Sequence, residues 1–62
     1  NPFRSYATIP AHEGERFTLY DLSGRRVGTF PGSRIGEGLE PGVYFLRRDG
    51  TPSAIMRVVK VR

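Results

Sequence analysis

No cysteine occurs among the 62 residues, so neither a disulfide nor a thiolate zinc ligand can reinforce the fold. A chain this short buries only about 60% of the surface its unfolded form exposes, so close-packed strands or help from outside the chain must supply the stability. The lack of cysteine leaves the redox compartment open, because secreted and cytosolic proteins alike can do without disulfides. Long apolar runs are missing too. The longest, residues 43–46, has four residues, against the roughly 20 that a helix needs to cross a bilayer. A membrane-spanning helix is therefore not expected.

Histidine occurs once, as His12, in a polar loop. Serine-type catalysis needs a hydroxyl, an imidazole and an orienting carboxylate together. A transition-metal site with one histidine and no cysteine needs several carboxylates, and the six acids are scattered singly. Glu13 and Glu15 are the nearest pair, and at i, i+2 beside a strand start they read as a solvated edge rather than an acid and a base. The glycines of GSRIGEG, residues 32–38, match neither GxGxxG nor GxxxxGKS, and no helix start follows them. No catalytic residue, metal site or cofactor is expected, and the chain does not read as an enzyme.

Acidic charge is also in short supply. Ten Lys and Arg against six Asp and Glu leave a formal charge of +4, which favours acidic partners such as nucleic acid, anionic polysaccharide or lipid head groups. Every basic residue but Lys60 is arginine, a bias that hints at the organism rather than at a site.

Glycine and proline, in contrast, are plentiful, with eight and five copies, and they punctuate the chain too closely for a packed helix of ordinary length. Residues 16–22 alternate, Phe17 and Leu19 on one face and Thr18 and Tyr20 on the other, which predicts a half-buried strand. Ser23 and Gly24 offer a turn into a second strand over 25–30. EPGV, residues 40–43, predicts a type II turn with Gly42 at positive φ. A strand over 43–48 follows, then Asp49 and Gly50 as a two-residue hairpin turn and a return strand over 54–61. In that last strand Met56 and Val58 share one face and Ile55, Val59 and Val61 the other, with Arg57 interrupting the second face near an edge or extending its head to water. Shorter strands are expected over 6–9 and around Ile35. About five to seven short strands, spaced by roughly ten residues, point to an antiparallel sandwich or a small barrel.

Small barrels bind nucleic acid through exposed rings beside basic side chains, and Tyr6, Tyr20 and Tyr44 are candidates for such rings. The arginines come in adjacent pairs, Arg25 with Arg26 and Arg47 with Arg48, and neighbours on a strand point to opposite faces, so each pair splits across the sheet. They read instead as charges that flank hairpin turns and blunt edge pairing. Nucleic acid is not the expected partner.

NPF at 1–3, LYDLSGRRV at 19–27, LEPGVYF at 39–45 and RVVKVR at 57–62 form an ordered series. It closely resembles the C-terminal sorting domain of the type IX (Por) secretion system, found on secreted and surface proteins of Bacteroidota and related phyla. The resemblance spans the chain. It implies an all-β, small immunoglobulin-like antiparallel β-sandwich of about six to seven short strands. Residues 1–62 would form one C-terminal domain, a fragment of a longer secreted protein, behind an N-terminal passenger that is often an enzyme or adhesin. In that family the domain is recognised by an outer-membrane translocon and directs the passenger through the periplasm and across the outer membrane of a Gram-negative bacterium to the surface or medium. A sortase-like peptidase generally removes it and can join the passenger to an anionic lipopolysaccharide.

Carried over residue by residue, Gly24, Arg25 and Val27 match the family's hairpin motif, Gly42 and Tyr44 its Gly-x-Tyr motif, and Lys60, Val61 and Arg62 its basic terminal segment. Many members carry more lysine at the end, where this chain has one. Read as chemistry, Gly24 and Gly42 sit where positive φ is expected and are architectural, and Tyr44 combines an apolar ring with a polar tip that suits a sandwich rim or packs in the core. The last strand is the expected recognition element, an exposed edge able to join a partner's sheet. The alternative is an accessory immunoglobulin-like module of a secreted hydrolase, packed on its catalytic domain or touching polysaccharide.

Overall fold

A computed structural model describes residues 2–50 and 55–62. The described residues form five strands and no helix: β1 (Pro2–Phe3), β2 (Arg16–Tyr20), β3 (Arg26–Pro31), β4 (Gly42–Arg48) and β5 (Met56–Lys60). They make a single mixed sheet in the order β1-β5-β4-β2-β3, in which β1 runs parallel to β5 and the other neighbours are antiparallel. The chain is thus all-β as expected. Where about six to seven strands in two layers were expected, the described residues give five in one sheet. The brief strands expected over 6–9 and around Ile35 meet each other in one antiparallel bridge, Ala7 with Ile35, closed by two amide–carbonyl bonds of 2.9 Å. Pro10 ends the first of these segments, and Pro31, Gly32 and Gly36 confine the second, so neither can extend into a ladder.

Alternation along β2 puts Phe17 and Leu19 on the inner face as the sequence implies, but Thr18 on the other face is buried as well, its hydroxyl bonded to Asp49, so the strand is covered on both sides there rather than half-buried as expected. Register then aligns Phe17 with Phe30, and Leu19 with Gly28 on β3 and Leu46 on β4, while Tyr44 aligns with Val58 on β5. Phe17, Leu19, Tyr44, Leu46 and Val58, capped by Ile35 from the 31–39 loop, are the core. Fully burying side chains of this kind contributes about 1.5 to 3 kcal/mol each. The loop presses close: a Cβ on Gly32 would lie 2.1 Å from the His12 carbonyl oxygen, so only glycine lets the two loops touch there.

One turn differs from expectation. Gly42 does not have positive φ and opens β4 as an ordinary strand residue opposite Lys60, so no type II turn is centred on it. Pairing with β5 holds its backbone extended. Gly50 takes φ +83° as a turn residue should, and β5 is described from Met56; the segment between them, where the expected two-residue hairpin would close, lies outside the described residues. The expected start of the return strand at Ala54 lies outside the described residues.

Candidate functional site

The residues matched by the sorting resemblance gather at one end of the sheet. The Asp21 carboxylate organises the β2–β3 turn there: Oδ1 accepts from the Ser23 amide at 2.9 Å, the Ser23 hydroxyl at 2.6 Å and the Arg25 amide at 3.0 Å. These bonds, the Ser23 hydroxyl's foremost, hold the carboxyl below the usual aspartate range. Gly24 completes the turn at φ +87°, a conformation that a Cβ would strain. The exposed Arg25 guanidinium reaches back to Asp21 at 3.3 Å. Past the turn Tyr20 pairs with Arg26 while Leu19 pairs with Gly28, which leaves Val27 as the extra residue of a bulge, half-buried against the core.

Gly42 and Tyr44 approach this turn from β4. Asp21, Leu22, Ser23, Gly42, Val43 and Tyr44 line one shallow cleft of about 350 Å³, so two motifs about twenty positions apart in sequence become neighbours. Tyr44 is buried in the core, and its hydroxyl donates to the Glu40 carbonyl at 2.6 Å, four residues upstream.

Lys60 stands opposite Gly42 and is 9% exposed. Its ammonium donates to the Gly36 carbonyl at 2.9 Å, tying the last strand to the loop over the core. The chain's single lysine is therefore a structural tie. A compact point donor on a flexible stem suits one carbonyl, whereas a guanidinium fork needs several acceptors. Val61 and Arg62 emerge exposed beyond it.

The last strand is not the open edge that the sequence suggested. β1 covers it, with Pro2 opposite Val59 and Phe3 opposite Lys60. The Val61 amide donates to the Phe3 carbonyl at 2.7 Å, and Arg4 Nη1 to the Arg62 carbonyl at 2.7 Å. The free edge at the opposite side of the sheet is β3. Sequence reasoning missed Phe3, Gly36 and Glu40, the partners that position the matched residues. Only the isolation of one lysine among arginines signalled any of this.

At the far end of β2, His12 Nδ1 and the Glu15 carboxylate are hydrogen-bonded at 2.5 Å, and Arg48 Nη1 lies 3.2 Å from the same carboxylate. The His12 bond first, and the Arg48 charge after it, hold Glu15 below the usual range. His12, Glu15 and Arg48 are thereby joined on the exposed rim of the loop layer. Among the described residues no group of three or more His, Cys, Asp or Glu side chains is arranged to hold a metal ion.

No family model matches the chain, and the searches of curated proteins and of solved structures give no match.

Proposed function

We propose that this chain is a secretion and cell-surface sorting module of the type IX kind, recognised by an outer-membrane translocon and processed by a sortase-like peptidase, and that it carries an N-terminal passenger across the outer membrane of a Gram-negative bacterium. The observation that supports this best is convergence. Gly24, Arg25, Gly42, Tyr44, Lys60, Val61 and Arg62 are spread over most of the chain, yet their strands end on the same side of the sheet: Gly42 and Tyr44 lie beside the Asp21 turn that Gly24 and Arg25 complete, and Lys60, with Val61 and Arg62 after it, stands opposite Gly42. A receptor could grip that end in one contact. The immunoglobulin-like part of the reading draws support from Tyr44, whose hydroxyl bonds a carbonyl four residues upstream, as the corner tyrosine of immunoglobulin-like sandwiches bonds back to its own backbone. The module itself is not catalytic. It positions exposed Arg25, Val61 and Arg62 on a base held by buried Tyr44 and Lys60.

The test is a fusion. Residues 1–62 placed behind a periplasm-directed reporter should carry it to the medium or surface of a Bacteroidota host with intact type IX machinery, and not in a strain lacking the translocon. The double variant Val61→Asp with Arg62→Glu, at two exposed positions, should lower export while the domain stays folded. Retention of the unmodified fusion in the periplasm of the intact host would contradict the proposal and favour the accessory-module reading.

A further inference from the structure

The outer face of the sheet carries a row of four side chains, one from each of four strands. Arg26 on β3 stands opposite Tyr20 on β2, Tyr20 opposite Phe45 on β4, and Phe45 opposite Arg57 on β5. With strands about 4.8 Å apart, two arginines roughly 14 Å apart bracket a pair of rings. Val43 and Val59 pair in the adjoining row on one side, Thr18 and Arg47 on the other. Tyr20 and Phe45 are outside the core cluster. With Gly24, Arg47 and Ile55 they line an open cleft of about 440 Å³.

Charge is distributed unevenly between the faces. Glu15 is engaged by His12 and Arg48, Asp21 by its turn and Arg25, and Glu37 by Arg34, while Asp49, bonded to the Thr18 hydroxyl, is one carboxylate at the margin of the outer face. Arg16, Arg26, Arg47 and Arg57 are all exposed on the outer face, and none of them takes part in an ion pair among the described residues. Much of the surplus positive charge of the chain therefore surrounds one apolar patch.

We infer that this face docks a protein partner whose contact surface is acidic around an aliphatic centre. A ring-and-aliphatic centre rimmed by arginine is the anatomy of a protein interface, in which tyrosine and arginine dominate the binding energy. A second copy of the chain is disfavoured, because stacking two such faces would bring arginine against arginine. Single-stranded nucleic acid needs rings lying open for stacking, whereas Tyr20 and Phe45 are half-buried. The patch, roughly 14 by 17 Å, is smaller than the ~800 Å² per partner of a standard interface, so the complex is transient and weakened by salt. This surface goes beyond the sorting reading and does not depend on it.

The experiment titrates the ¹⁵N-labelled chain with a peptide of alternating Glu and Leu, in parallel with an alternating Lys and Leu peptide and with oligothymidylate. The expected result is amide shifts at Thr18, Tyr20, Phe45, Arg47, Arg57 and Val59 with the acidic peptide alone. Affinity should fall at least tenfold in Arg26→Glu with Arg57→Glu, and severalfold in Phe45→Ala. Should Phe45→Ala fail to fold, the arginine variant, altered only at exposed positions, still decides. No binding of the acidic peptide at millimolar concentration, shifts confined to the opposite face, binding indifferent to arginine reversal, or tighter binding of oligothymidylate would each overturn the inference.

Discussion

The two faces of this one sheet handle positive charge in opposite ways. On the inner face each cation is tied down: Lys60 holds the Gly36 carbonyl and Arg48 the Glu15 carboxylate. On the outer face Arg16, Arg26, Arg47 and Arg57 stand in solvent around Tyr20 and Phe45. The inner cations complete a fold that has little core to rely on, while the outer ones leave their charge available to something else. Stability and recognition are therefore carried by different sides of the same strands, and substitutions should separate them.

The sharpest break is in the core. Leu19→Ala, at a side chain with no exposed surface, should cost about 3 kcal/mol. A core of this size supplies about 3 to 5 kcal/mol, so urea titration should find the cooperative transition nearly lost. Phe45→Ala on the outer face should cost about 1 kcal/mol in the same titration. Next in size is the comparison of cations. Lys60→Met keeps the apolar stem but removes the charge-assisted bond to the Gly36 carbonyl, which then keeps only the longer one from the Leu39 amide, at a cost of about 1 to 3 kcal/mol, whereas Arg57→Met should stay within about 0.5 kcal/mol of the parent. Tyr44→Phe removes one hydrogen bond to the Glu40 carbonyl and should cost about 1 kcal/mol, with the ring packing unchanged.

The smallest effect is in pH. The Asp21 carboxyl is held below its ordinary range in the fold, so its contribution is fully present above the unfolded-state value and is lost as pH falls through the lower folded value. The Ser23 and Arg25 amide resonances should accordingly titrate at a lower pH than a free aspartate. A midpoint at or above the ordinary value would show that the clamp does not form in solution.

How much of this could be read in the sequence follows from how local each feature is. The alternation of Phe17, Thr18, Leu19 and Tyr20 and the turn at Ser23 and Gly24 fix β2, β3 and the bend between them within a dozen residues, and these came out as expected. The Pro2–Phe3 strand did not, because two residues carry no periodicity and their partners, Val59 and Lys60, lie at the other end of the chain. That missing strand is also why β5 read as an open edge. Gly42 was misread for a related reason. Pro41 and Gly42 favour a type II turn locally, but pairing with Lys60 selects the extended backbone. Of the candidate site, Gly24 was legible because its role is conformational, whereas the burial of Lys60 depends on a loop carbonyl 24 positions away. The outer row Arg26, Tyr20, Phe45 and Arg57 was beyond sequence reasoning. It exists only once three registers and a bulge are known, and the split of each arginine pair, read as an argument against a binding face, is what places one member of each pair on the outer side.

Competitive chemical labelling of the native chain tests the division between the faces most directly, because Lys60 is the single lysine and the outer arginines are several. Under an amine-acylating reagent and an arginine-selective dicarbonyl, read by mass spectrometry, Lys60 should react only at the rate of unfolding while Arg16, Arg26, Arg47 and Arg57 react as freely as in the denatured chain. A Lys60 amine that labels at its denatured-state rate while the chain remains folded would contradict the account.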